Sequence, residues 1–462
     1  MLDASNLFAQ NFFDVEYEAL SEKAIEETKK QVLDFIAVAV GGYGQAGAAE
    51  TRELALEWGG APQSTIIGCG VKIPAPAAAQ VNASMAHSLD FDDVHEAAIM
   101  HPGVVTIPTA LAVGEYAGGL SGKELIRNIV IGGDMICRMG LATYPGEDIH
   151  QYGWHFTTVN GYMTSAAVAA SIMNLKLQEM IYAIGIAYHQ SSGNGQAVKD
   201  GALTKRLGPG FAVRGGVAAA MLAKKGATGS INSMEGVNGY YKVYHRNRYS
   251  RDILIENLGK RFESEDTSIK PYPCCRGVHP TIDATLQLVR ENDIDAGNIG
   301  SIQIWCGKGT QGLLGEPLEV KARPRNFVDS QFSLAWGCAS AIAKKRISLS
   351  CFTDEAIKDE EVLDIASKVK IIYEPEFDTG GLEPARVEIK TKDGKSYLCQ
   401  MDTATGSPER PATFEECIEK FHGCVEFSPL PIPRESADKI VETVKSLDQL
   451  SNINDLIKLL AW

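Results

Sequence analysis

The sequence predicts a protein with a large helical domain and a smaller α+β domain. At 462 residues the chain exceeds what one hydrophobic core usually supports. Apolar residues at helical spacing dominate residues 1–266, whereas residues 267–403 contain alternating and β-branched segments. A helical pattern returns in residues 404–462, so we expect both terminal segments to belong to the helical domain.

The first domain contains several recognisable helices. Helical spacing runs through residues 24–40 and stops at Gly41, a typical helix end. A second helix is predicted from Pro76, a residue favoured in the first turn. It is expected to run into the acidic segment, so that Asn82, Ala86 and Asp90, spaced four residues apart, share one of its faces.

Two further segments, 164–173 and 211–224, are rich in alanine and glycine. Small residues at helical spacing let helix backbones approach each other closely. We therefore expect both segments to be packed core helices.

The smaller domain contains the predicted strands. Residues 301–306, 369–373 and 385–391 alternate in polarity or carry β-branched side chains. A turn at residues 392–395, which includes an Asp-Gly pair, leads into residues 396–401 and predicts a hairpin.

Composition excludes several classes of protein. A net charge of −14 argues against a nucleic-acid partner, which would favour a basic surface. No apolar run is long enough for a membrane span, and the first residues do not resemble a secretory signal. The ten cysteines include no C-x-x-C pair, which suggests a reducing compartment and argues against an iron–sulfur hydratase. We expect a cytoplasmic protein.

One short segment concentrates titratable side chains. Burying so many is costly unless they are paired, whereas acid/base chemistry or a metal would use them. The group comprises His87, Asp90, Asp92, Asp93, His95, Glu96 and His101.

Within this segment, Asp90 and His101 suit a base and its electrostatic partner. We expect Asp92, Asp93 and His95 to be structural instead, for example as helix caps. The alternative is a site in which the aspartates hold Mg²⁺ or Mn²⁺.

Other candidates lie further along the chain. His155 is flanked by aromatic residues and followed by two threonines, a pattern suited to a polar pocket. Lys205 and Arg206 precede Gly-Pro-Gly, so we expect them just before a helix from Phe211 whose free N–H groups would favour an anion. Prolines on either side of Tyr272 follow Lys270 and would hold it rigidly.

In this order, these segments resemble the MmgE/PrpD family, which includes 2-methylcitrate dehydratase, cis-aconitate decarboxylase and iminodisuccinate epimerase. The matching stretches span most of the chain. They are His87–Asp93, His101–Gly103, Gly153–His155, Thr204–Arg206, Lys270–Pro273, Gly406–Pro411 and Lys420–Phe421.

The resemblance implies a large helical domain made of both termini, a smaller α+β lid domain and a homodimer. It also implies chemistry on a small di- or tricarboxylate without cofactor or metal. The active-site residues of the decarboxylase branch carry over by resemblance to Asp90, His101, His155, Lys205 and Lys270.

Three further residues are candidates for substrate binding: Arg206, Arg276 and Ser333. The two arginines could clamp a carboxylate. Ser333 stands about where family members often have a tyrosine that faces the site. This departure, together with the Trp-His pair at 154–155, argues against a strict 2-methylcitrate dehydratase.

We therefore expect a lyase, either a dehydratase or a decarboxylase, that moves a proton next to a carboxylate. His101 would be the principal acid/base, Asp90 would orient it, and the two lysines would bind carboxylates. An epimerase remains open because His155 could serve the opposite face. A carboxylate-binding protein without activity is the other alternative.

Overall fold

The computed structural model describes residues 2–145, 152–379 and 382–462, which form two compact units. The first comprises the described residues of Met1–Lys199, Leu203–Thr267 and Thr413–Trp462; the second comprises those of Asp200–Ala202 and Ser268–Ala412. The first is helical and uses both terminal segments, and the second mixes helices with a sheet. The predicted fold class is confirmed.

The helices of the first unit follow one another closely along the chain. They are α1 (Ala4–Asp14), α2 (Glu22–Gly41), α3 (Ala48–Trp58), α4 (Ala75–His87), α5 (Gly103–Tyr116), α6 (Gly122–Ala142), α7 (Phe156–Ile172), α8 (Leu177–Gln190), α9 (Gln196–Asp200), α10 (Thr204–Lys224), α11 (Tyr240–His245), α12 (Arg251–Ile255), and, after the second unit, α19 (Phe414–Phe427), α20 (Arg434–Lys445) and α21 (Asn454–Leu459).

This unit is not entirely helical. Strands β1 (Ser64–Thr65) and β2 (Lys72–Ile73) form a two-residue antiparallel ladder. The side chain of Asn82, on α4, binds the backbone where β1 ends, because it accepts from Ile67 N and donates to Thr65 O. The ladder is thereby attached to the helical core.

Helix α4 begins as predicted, with Pro76 in its first turn, but it ends at His87. Asp90 lies beyond the helix in the left-handed region (φ 50°), so it does not share a helical face with Ala86. The Ser88 hydroxyl donates to the carbonyl of Met85 and so competes with the helical ladder at this point. The chain then enters an irregular segment instead of continuing the helix.

Helix α10 begins earlier than predicted, at Thr204, with Pro209 inside it. Lys205 and Arg206 therefore lie in its first turn. A proline so near the start removes only one helical hydrogen bond, which close packing can offset. Helix α10 packs against α4, α7 and α8, as its small residues predicted.

The second unit is built on a mixed sheet with strand order β4-β3-β5-β6. The strands are β3 (Ile299–Cys306), β4 (Val369–Tyr373), β5 (Ala385–Thr391) and β6 (Ser396–Met401). Strand β3 pairs with β4 in parallel and with β5 antiparallel, and β5 and β6 form the predicted hairpin. Three strands match their predicted bounds, and β3 starts two residues earlier.

Six helices accompany this sheet, and α13 packs against β5 and β6. They are α13 (His279–Asn292), α14 (Lys308–Thr310), α15 (Leu318–Lys321), α16 (Phe327–Gln331), α17 (Leu334–Lys344) and α18 (Glu360–Ala366).

All ten cysteines are free thiols. Within the part of the chain that the structure describes, no helix combines the length and the apolar content that crossing a bilayer requires.

Gly216 allows α10 to pack against the backbone of α7. A Cβ at this position would lie 1.9 Å from Ser165 Oγ and 2.6 Å from Tyr162 O, so Gly216→Ala should destabilise the protein by about 1–3 kcal/mol. Gly423 is also helical, in α19, but has no atom within 4 Å of its Cβ position. Gly423→Ala should be neutral or stabilising by about 0.5–1 kcal/mol. Thermal unfolding of both variants checks the packing, and equal midpoints would contradict it.

Candidate active site

The segment from Ser88 to Pro102 carries two of the candidate residues, Asp90 and His101, and a lysine from a helix after the second unit holds it. Lys420, on α19, donates to the carbonyl of Phe91 at 2.6 Å, and its Nζ lies 3.7 Å from the centre of the Phe91 ring. The same ammonium pairs with Asp34 of α2 at 2.5 Å, and both side chains are buried. The peptide between Asp90 and Asp92 is thus bound to two helices.

Two side chains of the segment hold its own backbone. Both carboxylate oxygens of Asp93 accept from Gly103 N, the first amide of α5, at 3.0 and 3.1 Å. Burial raises the pKa of Asp93 well above its usual range, and the charges of Asp34 and Asp92 add to this effect. His95 Nδ1 accepts from Ala98 N at 3.1 Å. Both contacts agree with the structural roles expected of these residues.

The tautomer of His101 follows from its hydrogen bonds. Its Nδ1 lies 2.7 Å from the carbonyl oxygen of Asp93, and a carbonyl can only accept, so Nδ1 carries the proton. Neutral His101 therefore has an unprotonated Nε2, the form that a general base needs. Its side chain is 14% exposed, against 3% for Asp92. Of the two, His101 is the group that a solute can reach.

Asp92 is a carboxylate beside His101. Its Oδ2 lies 3.1 Å from His101 Nδ1 and 2.7 Å from His87 Nδ1. Burial alone would raise the pKa of Asp92, but the two imidazoles hold it well below its usual range. The sequence did not predict this contact, because Asp92 lies outside regular structure. That Asp90 orients His101 or tunes its charge stays a prediction.

Asp90 pairs with Lys205, in the first turn of α10. Both side chains are almost completely buried. Gly208 and Gly210 allow α10 to approach this closely: a Cβ on Gly208 would meet Thr158 Oγ1 at 2.3 Å, and one on Gly210 would meet Ser84 Oγ at 2.3 Å. The Gly-Pro-Gly sequence thus brings Lys205 close to α7 and α4.

His155 is the residue immediately before α7, and the first turn of that helix holds two imidazoles. Its Nδ1 lies 2.6 Å from Thr158 Oγ1, and the hydroxyl of Thr157 accepts from the amide of His101 at 3.1 Å. The ring of His87 is 4.9 Å from that of His101 and 5.9 Å from that of His155.

The imidazoles of His87 and His155 are neutral at neutral pH. Burial lowers the pKa of His87 to about 4, against the charge of Asp92. Burial also lowers the pKa of His155 well below its usual range, and His87 and Lys205 act in the same direction.

The helix N-termini at this cluster have no side-chain caps. Neither α7 nor α10 has a side-chain hydrogen bond at its N-cap, in contrast to α2 and α6, which begin with capping serines. Uncapped N–H groups carry partial positive charge and bind anions. With Lys205 on the same turn, they suit a carboxylate.

Three donors could converge on a metal ion. One ligand atom from each of His87, Asp92 and His101 lies within 4.8 Å of the others. Two imidazoles and one carboxylate suit Zn²⁺ or Fe²⁺ better than Mg²⁺. However, Nδ1 of His101 faces a carbonyl and must carry a proton, so that atom has no lone pair for a metal. The hydrogen bonds of His87 with Asp92 and of His101 with the Asp93 carbonyl account for the clustering of these three side chains without a metal ion.

Arg206 lies in the first unit, buried in α10. Its Nη1 donates to the carbonyl of Ala46 at 2.9 Å, so it binds the loop before α3. This contact uses one nitrogen of the guanidinium, and a role of Arg206 in binding a substrate carboxylate stays a prediction.

Three candidates lie in the second unit. Lys270 is buried there, in the segment that the Ile269 amide anchors to the carbonyl of Gly406. Arg276 donates to the carbonyl of Thr405 at 2.8 Å and to His279 at 2.9 Å. Ser333 is the N-cap of α17, and its hydroxyl also donates to the carbonyl of Lys321. Substrate binding by Arg276 and Ser333 stays a prediction.

Lys420 should be essential for the stability of the first unit. Lys420→Met keeps the aliphatic stem but removes the ammonium between Asp34 and Phe91, which should cost about 3–5 kcal/mol of unfolding free energy. Lys458→Met is the matched control, because Lys458 and Asp455 are 74% and 63% exposed. It should cost less than about 1 kcal/mol. Denaturant unfolding compares the two, and similar losses would refute the role of Lys420.

Comparison with known proteins assigns the family. The MmgE/PrpD N-terminal domain matches residues 6–251, and the MmgE/PrpD C-terminal domain matches residues 272–449. A cis-aconitate decarboxylase from Aspergillus terreus (strain NIH 2624 / FGSC A1156) is 28% identical over 94% of this chain and 91% of its own length. Cis-aconitate decarboxylases from Mus musculus and Homo sapiens are 24% and 23% identical, over 98% of this chain and 92% and 94% of theirs. Because the two domain matches cover most of its length, the chain belongs to the MmgE/PrpD family.

Proposed function

We propose that this protein is a cofactor-independent lyase that removes CO₂ from a small di- or tricarboxylate, with cis-aconitate as the first substrate to test. The observation that carries the proposal is the cluster of His101, His155 and the Asp90–Lys205 pair, brought together by α4, α7, α10 and the segment before α5. The relatives that share nearly the whole chain are named for this reaction, which supports decarboxylation over dehydration.

The proposed reaction needs a proton donor and stabilisation of negative charge. The carbon–carbon bond to the departing carboxylate breaks, CO₂ leaves, and the electron pair moves towards a neighbouring carboxylate. His101 then supplies a proton to carbon and takes up another from water, so the balance is one proton consumed and one CO₂ released. Preorganised donors stabilise the enolate-like charge before the proton arrives.

We expect positively charged groups to bind the carboxylates of the substrate. Lys205 lies in the first turn of α10, where the free N–H groups carry the same sign of charge. Lys270 remains a second proposed carboxylate ligand on the basis of the family resemblance. We also propose that the enzyme acts as a homodimer, as the family implies.

An epimerase is the second candidate, and one observation favours it. His101 and His155 are held by different elements, each with its own hydrogen-bond partner. Two independent acid/base groups are what removing a proton from one face of a carbon and returning it to the other requires. Such an enzyme would exchange deuterium into its substrate without loss of carbon.

Proton NMR in D₂O distinguishes these reactions. Protein treated with EDTA is incubated with cis-aconitate and a panel of hydroxy-, amino- and unsaturated di- and tricarboxylates. A new alkene signal with loss of a carboxylate supports the decarboxylase, and water elimination from a hydroxy acid supports a dehydratase. Deuterium at the α-carbon of an intact skeleton supports the epimerase. Tight binding without exchange would leave a carboxylate-binding protein, and restoration of turnover by Zn²⁺ or Fe²⁺ would refute cofactor independence.

His101→Gln should abolish turnover while the fold is kept. Because the imidazole is the only proposed donor of the proton to carbon, kcat should fall at least about 10²–10⁴-fold. His189→Gln is the matched control, since His189 is exposed on α8. Steady-state rates and circular dichroism of both variants test this assignment, which a fully active His101→Gln variant would exclude.

A further inference from the structure

One carboxylate oxygen of Asp92 faces two imidazoles. Its Oδ2 accepts a hydrogen bond from His87 Nδ1 at 2.7 Å and lies 3.1 Å from His101 Nδ1, within ion-pair distance. The two imidazoles meet edge to face with ring centres 4.9 Å apart. The carboxylate therefore links the exposed imidazole of His101 to a fully buried imidazole behind it.

His87 has no function in the proposed reaction, yet it is completely buried. Its Nδ1 faces the carboxylate of Asp92, and its Nε2 has no hydrogen-bond partner among the described residues. Burying a nitrogen without a hydrogen-bond partner costs free energy of folding, so an apolar side chain would be more stable here if the residue had only a packing role. The contact that accounts for an imidazole at this position is the proton that Nδ1 donates to Asp92.

The charges around His101 show why a fixed carboxylate is needed. His87, whose ring is 4.9 Å from that of His101, is neutral and supplies no counter-charge, and the carboxylate of Asp90 is paired with the ammonium of Lys205. Asp92 is the carboxylate in contact with His101 itself. When His101 takes up a proton, Asp92 is the group that balances the new charge.

We propose that Asp92 is a positioning residue, which balances the charge of His101 when it becomes an imidazolium, and that His87 fixes the carboxylate of Asp92. The proposal rests on the proposed function in one respect, that His101 is the acid/base. The coupling between Asp92 and His101 is a property of the folded protein and can be measured without a substrate.

Asp92→Asn tests the charge at nearly constant shape. Removal of the carboxylate should lower kcat about 10²-fold with less than a threefold change in KM, because it acts on the imidazolium and not on substrate binding. The basic limb of the kcat/KM profile should move to lower pH, because His101 must be protonated to donate to carbon and its imidazolium loses its counter-charge. His87→Leu should lower kcat about 10-fold, whereas His87→Asn, which keeps an N–H near the position of Nδ1, should restore most of it.

Asp134→Asn is the control for a merely structural effect. Asp134 is a buried carboxylate of α6 that pairs with Arg138 at 2.8 Å, and it lies outside the proposed site. This variant should lower the unfolding temperature without moving the pH profile. If Asp92→Asn behaved in the same way, with its loss of activity explained by loss of folded protein, the proposal would be wrong.

Long-range ¹H–¹⁵N NMR of histidine-labelled protein gives the readout that needs no substrate. We expect Asp92→Asn to change the ¹⁵N shifts and the titration of His101, and Asp134→Asn to leave both unchanged. Unchanged His101 signals in Asp92→Asn would overturn the inference even if the enzyme is active. A protein that turns over no carboxylate, yet shows the shift, would instead refute the proposed function alone and support the coupling.

Discussion

The ammonium of Lys420 is the contact on which the candidate site depends. It forms an ion pair with Asp34 and donates to the carbonyl of Phe91, so one buried charge joins α2, α19 and the segment that carries the aspartates. A buried ion pair is a weak source of net stability, but breaking it leaves an uncompensated charge. Its structural effect is to hold the peptide between Asp90 and Asp92 in one position. The return of the C-terminal segment to the first unit is therefore part of how the site is built.

Around this anchor, each ionisable group of the site has a separate partner. Asp90 pairs with Lys205, Asp92 contacts two imidazoles, and Asp93 caps α5. Adjacent carboxylates in a buried segment would repel each other, and distributing them among different helices relieves that repulsion. The same distribution keeps His101 in a defined tautomer while leaving its second nitrogen free of these contacts.

Close packing of the helices is as necessary for assembling the candidate site as the ion pairs are. The first turn of α10 can place Lys205 beside Asp90 only because Gly208 and Gly210 allow contact with α7 and α4. The first turn of α7 then contributes His155 directly, and Thr157 holds the amide of His101. Binding of a substrate carboxylate and proton transfer are therefore proposed to occur where two uncapped helix N-termini meet.

The sequence by itself determined the two-unit fold class, most of the helices, three strands at their observed bounds and the hairpin. These features depend on local periodicity and on turn residues, both of which can be recognised in a single sequence. It also identified Asp90, His101, His155 and Lys205, in part through the family resemblance. It placed His87 in the same titratable group as His101 but gave it no role of its own, because a histidine at a helix end has no distinguishing local signal.

Only the tertiary structure decided which groups pair. The contacts of Asp92 with His101 and His87, and of Lys205 with Asp90, were visible only there, because irregular segments and α10 are positioned by contacts with distant parts of the chain. The choice of hydrogen-bond partner in such segments depends on differences of a few tenths of an ångström in the distance between residues far apart in sequence. Spacing along the chain does not encode those differences.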